Sequence, residues 1–278
     1  MPAPPATPTI CPSLMSADPL RLGEQVQALL DAGARVFHVD VMDGRFVPNL
    51  MLGTETTRGV AGPVQAAGGT LDVHLMVERP GDAIRWFAPH ADMISIHVEA
   101  DPHPHQLLTE IRAAGCLAGL AINPGTPLQA VEPLVERIDY VNCMGVNPGF
   151  SGQSFIPETI DRLAALRAML PQRVLLQVDG GVGPANAGAT RAAGADLVVS
   201  ASAIFGTADP VAAYRDLSDR IAAGALQRVE RADDHAADAG GLDGLGAWAG
   251  APGVRAGLQG AHQRGPACGV TGPCTEAI

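Results

Sequence analysis

A (β/α)8 barrel is what this sequence predicts, and three observations predict it. From Thr9 to about Ala223, short β-rich runs alternate with longer amphipathic ones, and there are eight such runs. Ala-Gly joints stand directly ahead of several of them, as in DAGARVFHVD, AAGCLAGLAI and AAGADLVVSAS. A glycine that ends one helix and feeds the next strand is the expected joint of a βα unit. The chain is also long enough, at 278 residues with 47% hydrophobic and 17% charged, to fill one such core. Eight βα units in one chain point to a closed barrel. An open doubly wound sheet would favour a GxGxxG turn after the first strand, and none is present.

In order, the strands read TICPSL (9–14), RVFHVD (35–40), LDVHLM (71–76) and MISIHV (93–98). LAGLAI (117–122), YVNCM (140–144), VLLQVD (174–179) and LVVSAS (197–202) complete the set. Helical patterns lie between them, as in DPLRLGEQVQALLDAG (18–33), where apolar residues recur at three and four and Gly33 supplies a stop. Residues 1–8 lack the basic and apolar regions of a secretion signal and read as a flexible leader. The barrel is expected over 9–224. Residues 225–278 form a Gly/Ala-rich extension, with eleven glycines after Glu230 and no sustained periodicity. Such a segment buries too little apolar surface to offset its ordering entropy, so it is expected to be disordered.

Composition excludes several classes of function. A net charge of −11 argues against nucleic acid or an anionic membrane surface as partner. No apolar run approaches the roughly 20 residues that span a bilayer. Five cysteines, odd in number and without a CxxC pair, suit reduced thiols in a cytoplasm. All eighteen basic residues are arginine. Schiff-base and lysine general-acid chemistry are therefore excluded.

The chemistry concentrates at strand ends. In VFHVDVMDGRFVPN, His38 and Asp40 stand two apart and so share one face of a strand that should be buried. A buried carboxylate is costly unless paired or bound to metal. His74 lies near the end of the third strand and Asp179 ends the seventh. Side chains at these ends face the active site in a barrel of this type. Each alone is more readily a satisfied polar residue. Together, two imidazoles and two carboxylates suit one divalent ion: Zn, Fe, Mn or Co. VNPGFSGQSF (146–155), DGGVGP (179–184) and SASAIF (200–205) are ordinary turns individually. Jointly they offer backbone N–H groups where phosphate is held in such barrels, so a phosphorylated substrate is expected.

CPSLMSAD, FHVDVMDGRFVPN, LDVHLMV, INPGTPL, VNPGFSGQSFIPE, VDGGV and SAIF resemble the ribulose-phosphate 3-epimerase family, over about Ile10 to Ala223. The resemblance implies a cytoplasmic, metal-dependent isomerase of the pentose phosphate pathway that interconverts D-ribulose 5-phosphate and D-xylulose 5-phosphate. It implies one divalent metal on His38, Asp40, His74 and Asp179, with Asp40 and Asp179 as the acid/base pair. Ser13, His74, Gly149, Phe150, Ser151, Gly152, Gly180, Gly181, Ala201 and Ser202 fall on substrate or phosphate positions, and Met42, Met76 and Met144 cover the reacting carbons. A homo-oligomer is implied as well. Inverting C3 of a 2-ketose needs a proton removed from one face and returned to the other, which two carboxylates can do and one cannot easily. Ala201, Ser151, Gly145 and Arg45 depart from the family pattern and bear on the choice of sugar. The alternatives are a 3-epimerase of a hexulose 6-phosphate such as allulose 6-phosphate, or a non-catalytic phosphosugar-binding barrel. His97 ends the fourth strand, where it either backs the converging side chains or is simply packed or solvent-facing; His90, His103 and His105 receive no role. Asp72 shares the face of His74 one layer deeper, without an evident partner.

Overall fold

The computed structural model describes residues 2–239. Among them nine strands form one sheet: β1 (Thr9–Pro12), β2 (Val36–Asp43), β3 (Leu50–Met51), β4 (Thr70–Met76) and β5 (Met93–His97), then β6 (Leu117–Ile122), β7 (Tyr140–Met144), β8 (Leu175–Asp179) and β9 (Leu197–Ser200). β3 is a short antiparallel partner of β2. The other eight run parallel in the order β1-β9-β8-β7-β6-β5-β4-β2. A parallel bridge between Ser13 and His38 joins β1 to β2 and closes the ring. The expected barrel is the observed one.

The helices are α1 (Leu22–Asp31), α2 (Thr54–Ala66), α3 (Pro80–Phe87) and α4 (Pro104–Ala113), followed by α5 (Thr159–Met169), α6 (Ala187–Ala192), α7 (Ser202–Phe205) and α8 (Pro210–Ala239). In α1 the buried residues Val26, Leu29 and Leu30 lie three and four apart, the stripe that packs on the sheet. The crossover from β6 to β7 has two 3-10 turns instead, Leu128–Ala130 and Glu132–Arg137. Pro127 caps the first and Pro133 opens the second. Proline donates no backbone hydrogen bond, which discourages one continuous α-helix there. The first strand stops at Pro12 because Ser13 turns the chain, its hydroxyl accepting from the Met15 N–H. The last stops at Ser200, where Ser202 starts α7. α8 runs through residue 224, where the sequence places the end of the barrel, to Ala239; residues 240–278 of the expected tail lie outside the described residues.

Both faces of the ring strands are covered, so β4, β6 and β7 are buried almost throughout. One cluster of buried side chains lies between strands and helices. A second fills the lower interior, with Cys11, Val36, Met93, Leu117, Tyr140, Leu197 and Val199. Burying each large apolar side chain contributes about 1.5–3 kcal/mol. Gly119 makes room within that plug, because a Cβ there would meet the Tyr140 ring at 2.2 Å.

The floor of the ring uses one device three times. Asp92, Asp139 and Asp196 stand immediately before β5, β7 and β9. Their carboxylates accept from the N–H of Leu71 (2.8 Å), Ala118 (2.8 Å) and Leu176 (3.0 Å) on the preceding strand. Their carbonyls accept from the N–H of Leu117, Leu175 and Thr9 on the following one. Each aspartate thereby pins two neighbouring strands in register.

Candidate active site and metal centre

At the opposite end of the ring, His38 and Asp40 on β2, His74 on β4 and Asp179 on β8 converge. One donor atom from each lies within 4.8 Å of all the others. His38 Nε2 stands 3.3 Å from Asp40 Oδ1 and 3.4 Å from Asp179 Oδ2. His74 Nδ1 stands 3.3 Å and 3.2 Å from the same two oxygens. Strand register accounts for part of this: Asp40 pairs with His74, and His38 with Asp72. The closed ring does the rest, bringing β8 within three strands of β2 through β9 and β1.

Each side chain is held from behind. His38 Nδ1 meets Asp72 Oδ2 at 2.8 Å, and Asp72 also accepts from Tyr140 Oη (2.8 Å) and Gln177 Nε2 (2.7 Å). His74 Nε2 lies 2.9 Å from His97 Nε2, whose Nδ1 faces Glu99 at 3.1 Å. Ser13 Oγ donates to Asp40 Oδ2 at 2.6 Å, and Asn142 Nδ2 approaches Asp179 Oδ2 at 3.4 Å.

Electrostatics follow from this packing. Burial pushes the Asp40 carboxyl up, but His38 and His74 together outweigh it and hold it far below the carboxylate range. The same contest brings Asp179 down to about 2. Burial lowers both imidazoles, and the surrounding carboxylates reverse that, raising His38 strongly and His74 less so. His97 goes the other way, pulled down to about 4 chiefly by burial.

The carboxylates open into a narrow pocket lined by Ser13, Met42, Met76, Met144, Gly149, Phe150, Ser151, Gly152, Gly180, Gly181, Ala201 and Ser202. Gly181 is required at its place: its φ is +69°, and a Cβ would meet the Phe155 backbone at 2.7 Å. A larger depression, about 900 Å³, lies beside β3 and α3 and is lined by neither Asp40 nor Asp179. We take the smaller pocket as the site, because the chemistry is there.

Residues 9–205 match the model of the ribulose-phosphate 3-epimerase family. The chain belongs to that family. The ribulose-phosphate 3-epimerase of Synechocystis is 46% identical over 202 residues, covering 70% of this chain and 86% of that one. The Escherichia coli K12 enzyme of the same name is 43% identical over 222 residues, covering 76% and 93%. Among solved structures, 3-hexulose-6-phosphate synthase from Salmonella typhimurium superposes with a TM-score of 0.61 at 16% identity, covering 80% of this chain and all of that one, a likeness of fold alone.

The segment matched to the epimerase family contains all four converging side chains and ends at Phe205, the last residue of α7. Within it, every residue expected on the substrate side lines the pocket except His74, which is wholly buried behind the carboxylates. Arg45 lines the outer depression instead. Met15, Gln153 and Val182 also line the pocket; they lie within motifs that the sequence singles out, though not among its named site residues. Of the supports, the sequence places Asp72 on the face of His74 and His97 at a strand end, while Tyr140, Gln177 and Glu99 go unnoticed; period two was the signal for Asp72 and Gln177, each two residues before a converging side chain.

The donor set fits a divalent cation. His38 Nε2 is buried without a hydrogen-bond partner. The four N···O separations of 3.2–3.4 Å, with all four donor atoms within 4.8 Å of one another, put two imidazoles and two carboxylates close enough to share one cation. No arginine pairs with either carboxylate among the described ion pairs.

No helix among the described residues is long and apolar enough to cross a membrane. Cys11, Cys116 and Cys143 are free and buried; Cys268 and Cys274 lie outside the described residues.

Proposed function

We propose that this protein is a metal-dependent epimerase that interconverts D-ribulose 5-phosphate and D-xylulose 5-phosphate by two-base proton transfer at C3. One observation carries the reading: two buried carboxylates from separated strands converge with two imidazoles at the end of a glycine-ringed pocket. His38, Asp40, His74 and Asp179 would hold the cation, be it Zn, Fe, Mn or Co. That cation supplies Lewis-acid stabilisation of the negative charge that develops when C3 loses its proton.

The remaining work falls to the chain itself. Asp40, ionised, takes the C3 proton from one face, and Asp179, which the imidazoles keep ionised until it takes up a proton for this step, returns one to the other; the roles exchange with direction. Ser13, donating to Asp40 Oδ2, leaves the other oxygen of that carboxylate turned inward. Met42, Met76 and Met144 wall the pocket with thioethers that exclude water from the reacting carbons. The turn at Gly180 and Gly181, the loop Gly149–Gly152 and the Ala201–Ser202 segment offer backbone N–H groups to the phosphate, which replaces the lysine this chain lacks. The same reading expects a homo-oligomer, which sedimentation velocity decides, and a reducing cytoplasm in which the buried thiols stay unpaired.

Proton NMR in D₂O tests the reaction directly. With ribulose 5-phosphate and metal-replete protein, the C3 proton signal should vanish as xylulose 5-phosphate appears. A sugar that binds without losing that proton would make the protein a phosphosugar-binding barrel, and faster exchange of allulose 6-phosphate would move the assignment to the hexulose phosphates.

A further inference from the structure

Each imidazole of the cluster points one ring nitrogen at Asp40 and Asp179 and the other into the barrel wall, and the two wall contacts differ in kind. Behind His38 stands the carboxylate of Asp72, at 2.8 Å. Behind His74 stands another imidazole, His97, with the two Nε2 atoms 2.9 Å apart. Two nitrogens at that distance share a single proton, so one ring donates and the other accepts. Glu99 decides which. Its Oε2 lies 3.1 Å from His97 Nδ1, and its Oε1 accepts from the Asn123 N–H at 2.9 Å and from the Thr126 hydroxyl. An ionised carboxylate only accepts. His97 therefore donates from Nδ1, its Nε2 accepts, and His74 must carry a proton on Nε2. That leaves His74 Nδ1 facing the carboxylates, where its lone pair can bind a cation.

We propose that His97, oriented by Glu99, is a positioning residue that fixes which nitrogen of His74 is presented to the metal. The inference rests on the reading of His74 as a ligand and deepens it. The chain of contacts runs from the buried cluster through His97, itself wholly buried, to Glu99, a quarter exposed at the barrel mouth. It is a line of fixed hydrogen-bond polarity, in which each group dictates the direction of the next. Supports of this kind hold ring orientation and raise ligand basicity.

The test uses full-length protein stripped of metal, with Co²⁺ as the probe, read by its visible absorption. His97→Leu strands the His74 N–H in an apolar wall and is expected to weaken Co²⁺ binding about 10- to 100-fold. His97→Gln can accept from His74 through its carbonyl and donate to Glu99 through its amide, and should return the affinity toward wild type. In histidine-labelled protein, long-range ¹H–¹⁵N correlations should report wild-type His97 as the Nδ1–H form. Equal affinities in the Leu and Gln variants, or a proton on His97 Nε2, overturn the relay. A wild type that takes up no Co²⁺ overturns instead the metal reading beneath it. Should the Leu variant not fold, Glu99→Ala makes the same comparison from the solvent side: weaker binding supports the relay and unchanged affinity overturns it.

Discussion

The two ends of this barrel treat their aspartates in opposite ways. On the floor, Asp92, Asp139 and Asp196 accept from backbone N–H groups of a neighbouring strand, and Arg167 and Arg191 flank Asp196 at 3.1 and 3.0 Å. At the mouth, Asp40 and Asp179 face two imidazoles, and no arginine pairs with either among the described residues. The floor carboxylates are bound to backbone N–H groups and spent on register. The mouth carboxylates stay ionised and have only imidazoles for partners, which leaves them open to a cation. The same residue type thus serves stability where its partners are complete and chemistry where they are not.

That contrast breaks or sharpens by experiment. The largest effect should come from the mouth: Asp40→Asn or Asp179→Asn in metal-replete protein is expected to abolish turnover, a loss of at least about 10²–10⁴-fold. Near-normal kcat in either variant would remove that residue from the acid/base pair. On the floor, Asp196→Ala should leave kcat intact while lowering the urea midpoint. The orphaned Leu176 N–H alone costs about 1–3 kcal/mol, and a fall in kcat without one in stability would erase the division of labour. The smallest effect is in pH. Glu99 is held at about 2 against an ordinary 4.5, because bonds from His97, Thr126 and Asn123 outweigh its burial. A carboxyl lowered on folding stabilises above its unfolded value and loses that contribution as pH falls through the folded one. The stability margin of wild type over Glu99→Gln should therefore be full above pH 4.5 and shrink toward pH 2. A margin that ignores pH would deny the pairing.

Much of this was legible in the sequence. All eight ring strands, the four converging side chains and most of the pocket rim follow from period-two alternation and from glycine-rich turns at strand ends. What stayed hidden is who meets whom across the ring. Asp72 finds its partners 34, 68 and 105 residues away, on β2, β7 and β8. Alternation says that a side chain points inward, but not which distant strand lies opposite. Whether His97 backs the cluster stayed open for the same reason, as its partner His74 is 23 positions earlier. The 3-10 crossover was obscured differently: Pro127 and Pro133 interrupt a segment whose apolar spacing still resembles a helix.

The join between β1 and β2 has a consequence of its own. Seven residue pairs zip β2 to β4, whereas among the described residues a single bridge, Ser13 with His38, fastens β2 to β1. Those two residues also steady Asp40 and complete the cluster. The weakest seam of the cylinder therefore runs through its workshop, so warming should loosen the tools before the walls give way.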